Sequence, residues 1–147
     1  MKYFIALTLL LLAAGCSPSA NLSGLVPVSG TVVLDGVPLE GASLQFVPDT
    51  STPQPPKRAG VAVTDTKGHF KAMTLQPQDG LYTGTYKVTV SKIEPYTQEQ
   101  EKRLAEGKKV PPQKELAAEV YTNAALTPLT VTVGSKRQSV KLELQGE

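Results

Sequence analysis

The sequence predicts an all-β fold, a seven-stranded Greek-key β-sandwich with one short helix in an inserted loop. Three observations lead there. Apolar residues recur at every second position in several short runs, the period of a half-buried strand. Twelve glycines and twelve prolines punctuate the 147 residues, and the runs stop at Asp-Gly and other glycine-containing turns. With a single cysteine no internal disulfide can form, so one hydrophobic core must hold the domain unaided.

The chain opens outside that pattern. Met1 and Lys2 precede an apolar run over residues 3–14 without an acidic residue, and Ala13-Ala14-Gly15 leads into Cys16. A positive start, a short apolar stretch and small residues before a cut mark a secretory signal peptide, here residues 1–15. About a dozen residues rise only ~18 Å as helix, too short for a ~30 Å hydrocarbon core. The ending resembles the bacterial lipoprotein signal, in which the cysteine is acylated and becomes the first residue. Ala13 stands where leucine is usual, with Leu12 one step earlier. The resemblance implies a lipid (palmitate-type acyl chains) on Cys16 and a membrane as partner. Ser17, a residue other than aspartate, implies by the same resemblance sorting to the outer membrane of a cell envelope. Residues 16–25 then read as a flexible tether of small polar residues, nine of which span roughly 30 Å when extended.

Residues 26–147 form the domain. Val28, Gly30, Val32 and Leu34 alternate with Ser29, Thr31 and Val33, and Asp35-Gly36 closes the run as a tight hairpin turn into Val37-Pro38. Ala42, Leu44 and Phe46 give a second strand an inward face, and Pro48 ends it. A proline-rich surface loop over 49–57 follows. Residues 59–64 form a third strand, Asp65-Thr66-Lys67-Gly68 a turn, and residues 69–75 a fourth strand anchored by Phe70. Gln78-Asp79-Gly80 is another turn. The fifth strand, 84–90, faces Tyr86, Val88 and Val90 inward and Thr85, Lys87 and Thr89 outward. Residues 129–133 and 140–144 make a last pair joined through 134–139. Seven strands of this length suit two packed sheets.

The order of these motifs resembles carboxypeptidase regulatory-like domains. The opening is Val28-Ser29-Gly30-Thr31-Val32, Asp35-Gly36, Pro38-Leu39-Glu40-Gly41-Ala42 and Phe46-Val47-Pro48. Thr64-Asp65, Gly68 and Phe70 follow, then Gly84-Thr85-Tyr86-Lys87-Val88-Thr89-Val90. With Tyr121 upstream of the closing strands, the chain is similar to short lipoproteins of planctomycete-type bacteria. The resemblance implies a prealbumin-like (transthyretin-like, Ig-like) sandwich; it implies no activity, since such folds host many.

Residues 91–125 are long for a connection inside a domain. Thr97 and Gln100 fit a capping box, Glu99 and Glu101 sit in the first turn, Lys102 and Arg103 come later, and Gly107 can end the helix. Leu104 is its only sizeable apolar side chain, and a helix near ten residues is marginal without burial. Two readings stay open, a solvated decoration or an arm that docks on an envelope protein.

Chemistry is sparse. The net charge is +2, and removing Lys2 leaves +1, with no basic run interleaved with aromatics, which argues against nucleic acid. His69 is the sole histidine and lies beside a turn glycine, so neither a catalytic base nor a zinc site is expected. Asp35, Asp65 and Asp79 each accompany a turn glycine, without the dense Asp-x-Asp spacing of a calcium loop. No Gly-x-Ser-x-Gly elbow or phosphate loop occurs. The several histidines of a transthyretin-like purine-pathway hydrolase have no counterpart. No enzyme activity, cofactor or metal is therefore expected. A structural or protein-binding module is the leading expectation. The alternative is a glycan-binding module using Tyr82, Tyr96 and Tyr121 as a stacking platform, the aromatics that strand alternation leaves outside the core.

Overall fold

A computed structural model describes residues 24–146. The signal segment, Cys16 and most of the tether lie outside the described residues. All seven expected strands form, joined by three two-residue pieces. In chain order they are β1 (Leu25–Val26), β2 (Val28–Leu34), β3 (Val37–Pro38), β4 (Ser43–Pro48) and β5 (Gly60–Val63). Then come β6 (His69–Lys71), β7 (Leu81–Tyr82), β8 (Gly84–Ser91), β9 (Thr130–Val133) and β10 (Gln138–Leu144). Two helices, α1 (Gln98–Ala105) and α2 (Glu119–Thr122), lie between β8 and β9.

The strands make an all-β sandwich of two four-stranded sheets. One has β2 between β10 and the pieces β3 and β6; the other runs β5-β4-β8-β9. The facing sheets meet through aromatic rings. Phe46 of β4 lies 5.9 Å from Phe70 of β6, and Tyr86 of β8 approaches Phe46 edge-on at 6.3 Å. Inward alternation along β4 and β8 is as the sequence predicts: Ala42, Leu44, Phe46, Tyr86, Val88 and Val90 are all buried. Gly30 is needed beneath Phe70, because a Cβ there would strike both that ring and the Val140 carbonyl.

Strand partners differ from a chain of hairpins. Asp35 (φ 51°) and Gly36 (φ 81°) do form a two-residue turn, pairing Leu34 with Val37 and Val33 with Pro38. The chain then crosses to the other sheet. Thr64 binds that crossing: its hydroxyl donates to the Leu39 carbonyl at 2.5 Å and accepts the Ala42 amide at 2.8 Å. The fourth strand is shorter than expected. The Ala72 amide makes the last bond to β2, at the Val28 carbonyl, and Met73 then exchanges two hydrogen bonds with Val61 of β5, tying one side of the sandwich together. The expected last pair does not form. β9 joins β8, whereas β10 pairs in parallel with β2 along seven residues, Gln138↔Val28 to Leu144↔Leu34. A sequence turn between two alternating runs cannot distinguish a hairpin from a crossing between sheets, and here the crossing buries Leu142 and Leu144.

Candidate functional site

Strand direction gives the sandwich two distinct ends. The described chain begins beside Tyr82, since β1 pairs with β7 and Gly24 shares a hollow with Tyr82 and Lys57. β8 starts two residues later and runs eight residues to Ser91, about 23 Å at ~3.3 Å per step. The inserted segment therefore leaves from the end opposite the tether.

Its root is anchored. Glu94 N–H donates to the Lys114 carbonyl and Leu116 N–H to the Lys92 carbonyl, each at 2.8 Å, around an Ile93–Glu115 bridge. The Glu115 carboxylate accepts the Ser91 hydroxyl at 2.5 Å, the Lys92 amide at 2.6 Å and the Ala117 amide at 3.0 Å. Burial pushes this carboxyl upward, but the hydrogen bonds from Ser91, Ala117, Lys92 and Leu116 outweigh it and hold it below the ordinary carboxylate value.

Beyond that stem the segment protrudes. α1 starts as the sequence predicts: the Thr97 side chain accepts the Gln100 amide at 3.3 Å, and the Gln100 side chain accepts the Thr97 amide at 2.9 Å. Gly107, at φ 74°, follows its last turn. No residue of α1 is buried, and Leu104 stays exposed. Residues 117–127 behave differently. α2, which the sequence did not reveal, packs against β8, and Ala117, Tyr121 and Thr127 are buried. Thr89, expected to face solvent, is only 8% exposed. The insertion is thus half core, half arm.

The three platform tyrosines do not converge. Tyr82 lines the hollow at the tether end, with the Lys57 ammonium 6.0 Å from its ring. Tyr96 lines a separate hollow of the arm with Thr97, Pro112 and Gln113. Tyr121 is buried, and its hydroxyl accepts the Gln145 amide at 3.2 Å. Tyr121 thus belongs to the core and offers no stacking surface.

The turn aspartates hold backbone. Asp65 accepts the Lys67 and His69 amides, each at 2.9 Å, which lowers its pKa, and His69 Nδ1 stands 3.8 Å from the same carboxylate. Asp79 accepts the Thr74, Leu75 and Gln76 amides. Asp35 accepts the Gly146 amide at 3.0 Å. Among the described residues no three His, Cys, Asp or Glu side chains gather where they could hold a metal ion. A hollow of about 620 Å³ lies at the arm end between Leu34, Asp35, Lys114, Glu115 and Glu119. Its lining is mixed, with Leu116 and Ala117 beside the charged groups, and it is open to solvent, unlike the enclosed, mostly apolar pockets usual for small molecules.

No protein-family profile matches the sequence, and no curated protein is a significant match. Among solved structures the chain is similar to a 9R-lipoxygenase from Cyanothece PCC8801, at 14% identity and a TM-score of 0.41, covering 86% of this chain and 17% of that one. It is also similar to chlorocatechol 1,2-dioxygenase from Pseudomonas putida, at 16% identity and a TM-score of 0.38, covering 86% of this chain and 62% of that one. The chain thus spans less than two thirds of either protein.

Proposed function

We propose that this chain is a non-catalytic, lipid-anchored β-sandwich module of the cell envelope, held at the outer membrane through Cys16 and serving as a structural or protein-binding element. The observation that carries the reading is the polarity of the sandwich: chain from the tether arrives at one end and an unburied arm projects from the other. An anchored domain built this way offers its arm to a partner away from the membrane. The signal-like start, the lone cysteine and the lipoprotein resemblance supply the anchor, and the single histidine and single cysteine leave little for catalysis.

The test has two parts. Replacing Cys16 with Ser releases the protein from membranes; continued retention removes the anchor. Crosslinking in intact envelopes, run beside a glycan array, then separates the roles. Reproducible protein partners, lost when residues 96–112 are replaced by a short linker, support the module. Saturable sugar binding lost on Tyr82→Ala or Tyr96→Ala installs the glycan-binding alternative in its place.

A further inference from the structure

We infer that the tether end of the sandwich is a basic face that lies against anionic phospholipid headgroups and so sets the orientation of the domain. The inference rests on the lipid-anchor reading and adds an orientation to it.

Two hollows flank the first described strand. Lys57 lines one with Gly24 and Tyr82, and Lys71 and Arg137 line the other with Pro27 and Val28. Arg58 follows Lys57, and Lys136 precedes Arg137 in the loop between β9 and β10; all five cations are exposed. None of them makes an ion pair among the described residues; Lys71 donates only to the neutral Gln78 side chain, at 3.0 Å. Two carboxylates lie at this end, Asp49 and Asp79, and hydrogen bonds keep both ionised. Asp49 accepts the Ser51 hydroxyl and amide, and Asp79 accepts three backbone amides. The end therefore presents five cations against two carboxylates, a surplus of three positive charges around the point where the chain comes in. On the arm, by contrast, Glu99, Glu101 and Glu106 nearly balance Lys102, Arg103, Lys108 and Lys109, and Lys108 pairs with Glu106 at 2.7 Å.

Chain length makes the contact unavoidable. Seven residues lie between an acylated Cys16 and Gly24, so eight steps give a reach of at most about 28 Å. A domain held that close meets the headgroup layer repeatedly, at high effective concentration. Clustered Lys and Arg next to an anchor are attracted by anionic leaflets within about a Debye length. An anchor point alone favours no orientation of the domain. The basic end makes one of them favoured, with the arm pointing away from the bilayer.

The lipidated full-length protein tests this directly. Cys16 is the only native cysteine and its thiol is acylated, so Ser135→Cys or Lys108→Cys takes one fluorophore. Each labelled protein is reconstituted on neutral phosphatidylcholine vesicles or on vesicles with 30 mol% phosphatidylglycerol, both containing a headgroup-level quencher. The label at 135 is expected to be quenched at least about fivefold more on the anionic vesicles. High salt and the triple variant K57Q/K136Q/R137Q abolish that difference, while the label at 108 stays unquenched and the protein stays bound. Equal quenching at 135 on both vesicle types, with the protein retained, overturns the inference and leaves the anchor standing. Loss of the difference on adding inorganic phosphate at constant ionic strength overturns it in favour of a free-anion site. A free Cys16 thiol and no retention on neutral vesicles overturn the anchor reading itself.

Discussion

Glu115 accepts the Ser91 hydroxyl at 2.5 Å, and this contact marks where the sandwich ends and the arm begins. Ser91 is the last residue of β8, and Glu115 closes the stem that returns the chain to it. Replacing Glu115 with Ala leaves the Ser91, Lys92 and Ala117 donors without this acceptor. A loss of about 1–3 kcal/mol in the stability of the stem is expected. Hydrogen exchange reports it as faster exchange at the Glu94 and Leu116 amides, with β2 and β8 unchanged. The same contact carries a pH dependence. The folded pKa of Glu115 lies below its ordinary 4.5, so its contribution is complete above that value and is lost as pH falls through the folded one. Protection factors at those two amides, which correct for the intrinsic pH dependence of exchange, should therefore fall in acid for the wild type and stay flat for the Ala variant.

The arm beyond the stem is held by exposed hydrogen bonds, such as those from Arg103 to the Lys109 carbonyl and from Gln113 to the Glu94 carbonyl. α1 has no buried residue, and an isolated helix of eight residues is marginal in water. Trypsin is expected to cut first at Lys102, Arg103, Lys108 or Lys109. The two fragments should stay together through the β10–β2 and β8–β9 pairings, and the nicked protein should still unfold cooperatively. A first cut inside the sandwich, with the arm protected, would show that the arm is packed in solution.

The same contrast explains what the sequence could reveal. Strands were legible because alternation and turn residues are local: Phe46 and Tyr86 announce their inward faces by spacing, and Asp35-Gly36 announces its turn by composition. The capping box of Thr97 and Gln100 is equally local. Partner choice was not legible. Whether residues 138–144 fold back on β9 or cross to β2 depends on where the other sheet lies, and no spacing encodes that. Thr64 looks like any turn-flanking threonine until Leu39 and Ala42 close on it. Tyr121 sits in a stretch without periodicity, and its burial depends on Gln145 and the end of β10. The site was less legible than the fold for that reason: its residues are separated in sequence and gathered only by the crossings.

The two faces around Gly68 should differ sharply in cost. Phe70 is 3% exposed and touches Phe46, so truncating either ring to Ala removes a contact that links the sheets. A loss of about 3–5 kcal/mol is expected for each, a large share of a total near 5–15 kcal/mol. His69 is exposed and its side chain only approaches Asp65, so His69→Ala should stay within about 0.5 kcal/mol. Urea denaturation of the three variants checks this, and similar midpoints for Phe70→Ala and His69→Ala would contradict the packing.

Tyr86 gives the last test, because its ring and its hydroxyl do separate things. The ring is fully buried against Phe46, and the hydroxyl donates to the Tyr82 carbonyl at 2.9 Å, fixing the one-residue link between β7 and β8. Tyr86→Phe keeps the ring and removes the donor, for an expected loss of about 1 kcal/mol. Tyr86→Ala removes both and should cost about as much as a lost core phenylalanine. Burial pushes the phenol up to about 12 against an ordinary 10, outweighing the hydrogen bond to Tyr82. The folded state therefore prefers the protonated phenol. Its contribution is complete below the unfolded value of about 10 and is lost as pH rises through about 12. Thermal melts across that window should show the wild type weakening faster than the Phe variant, which has no phenol to ionise. Parallel decline of the two would mean that the Tyr86 hydroxyl reaches water and that the β7–β8 link is open.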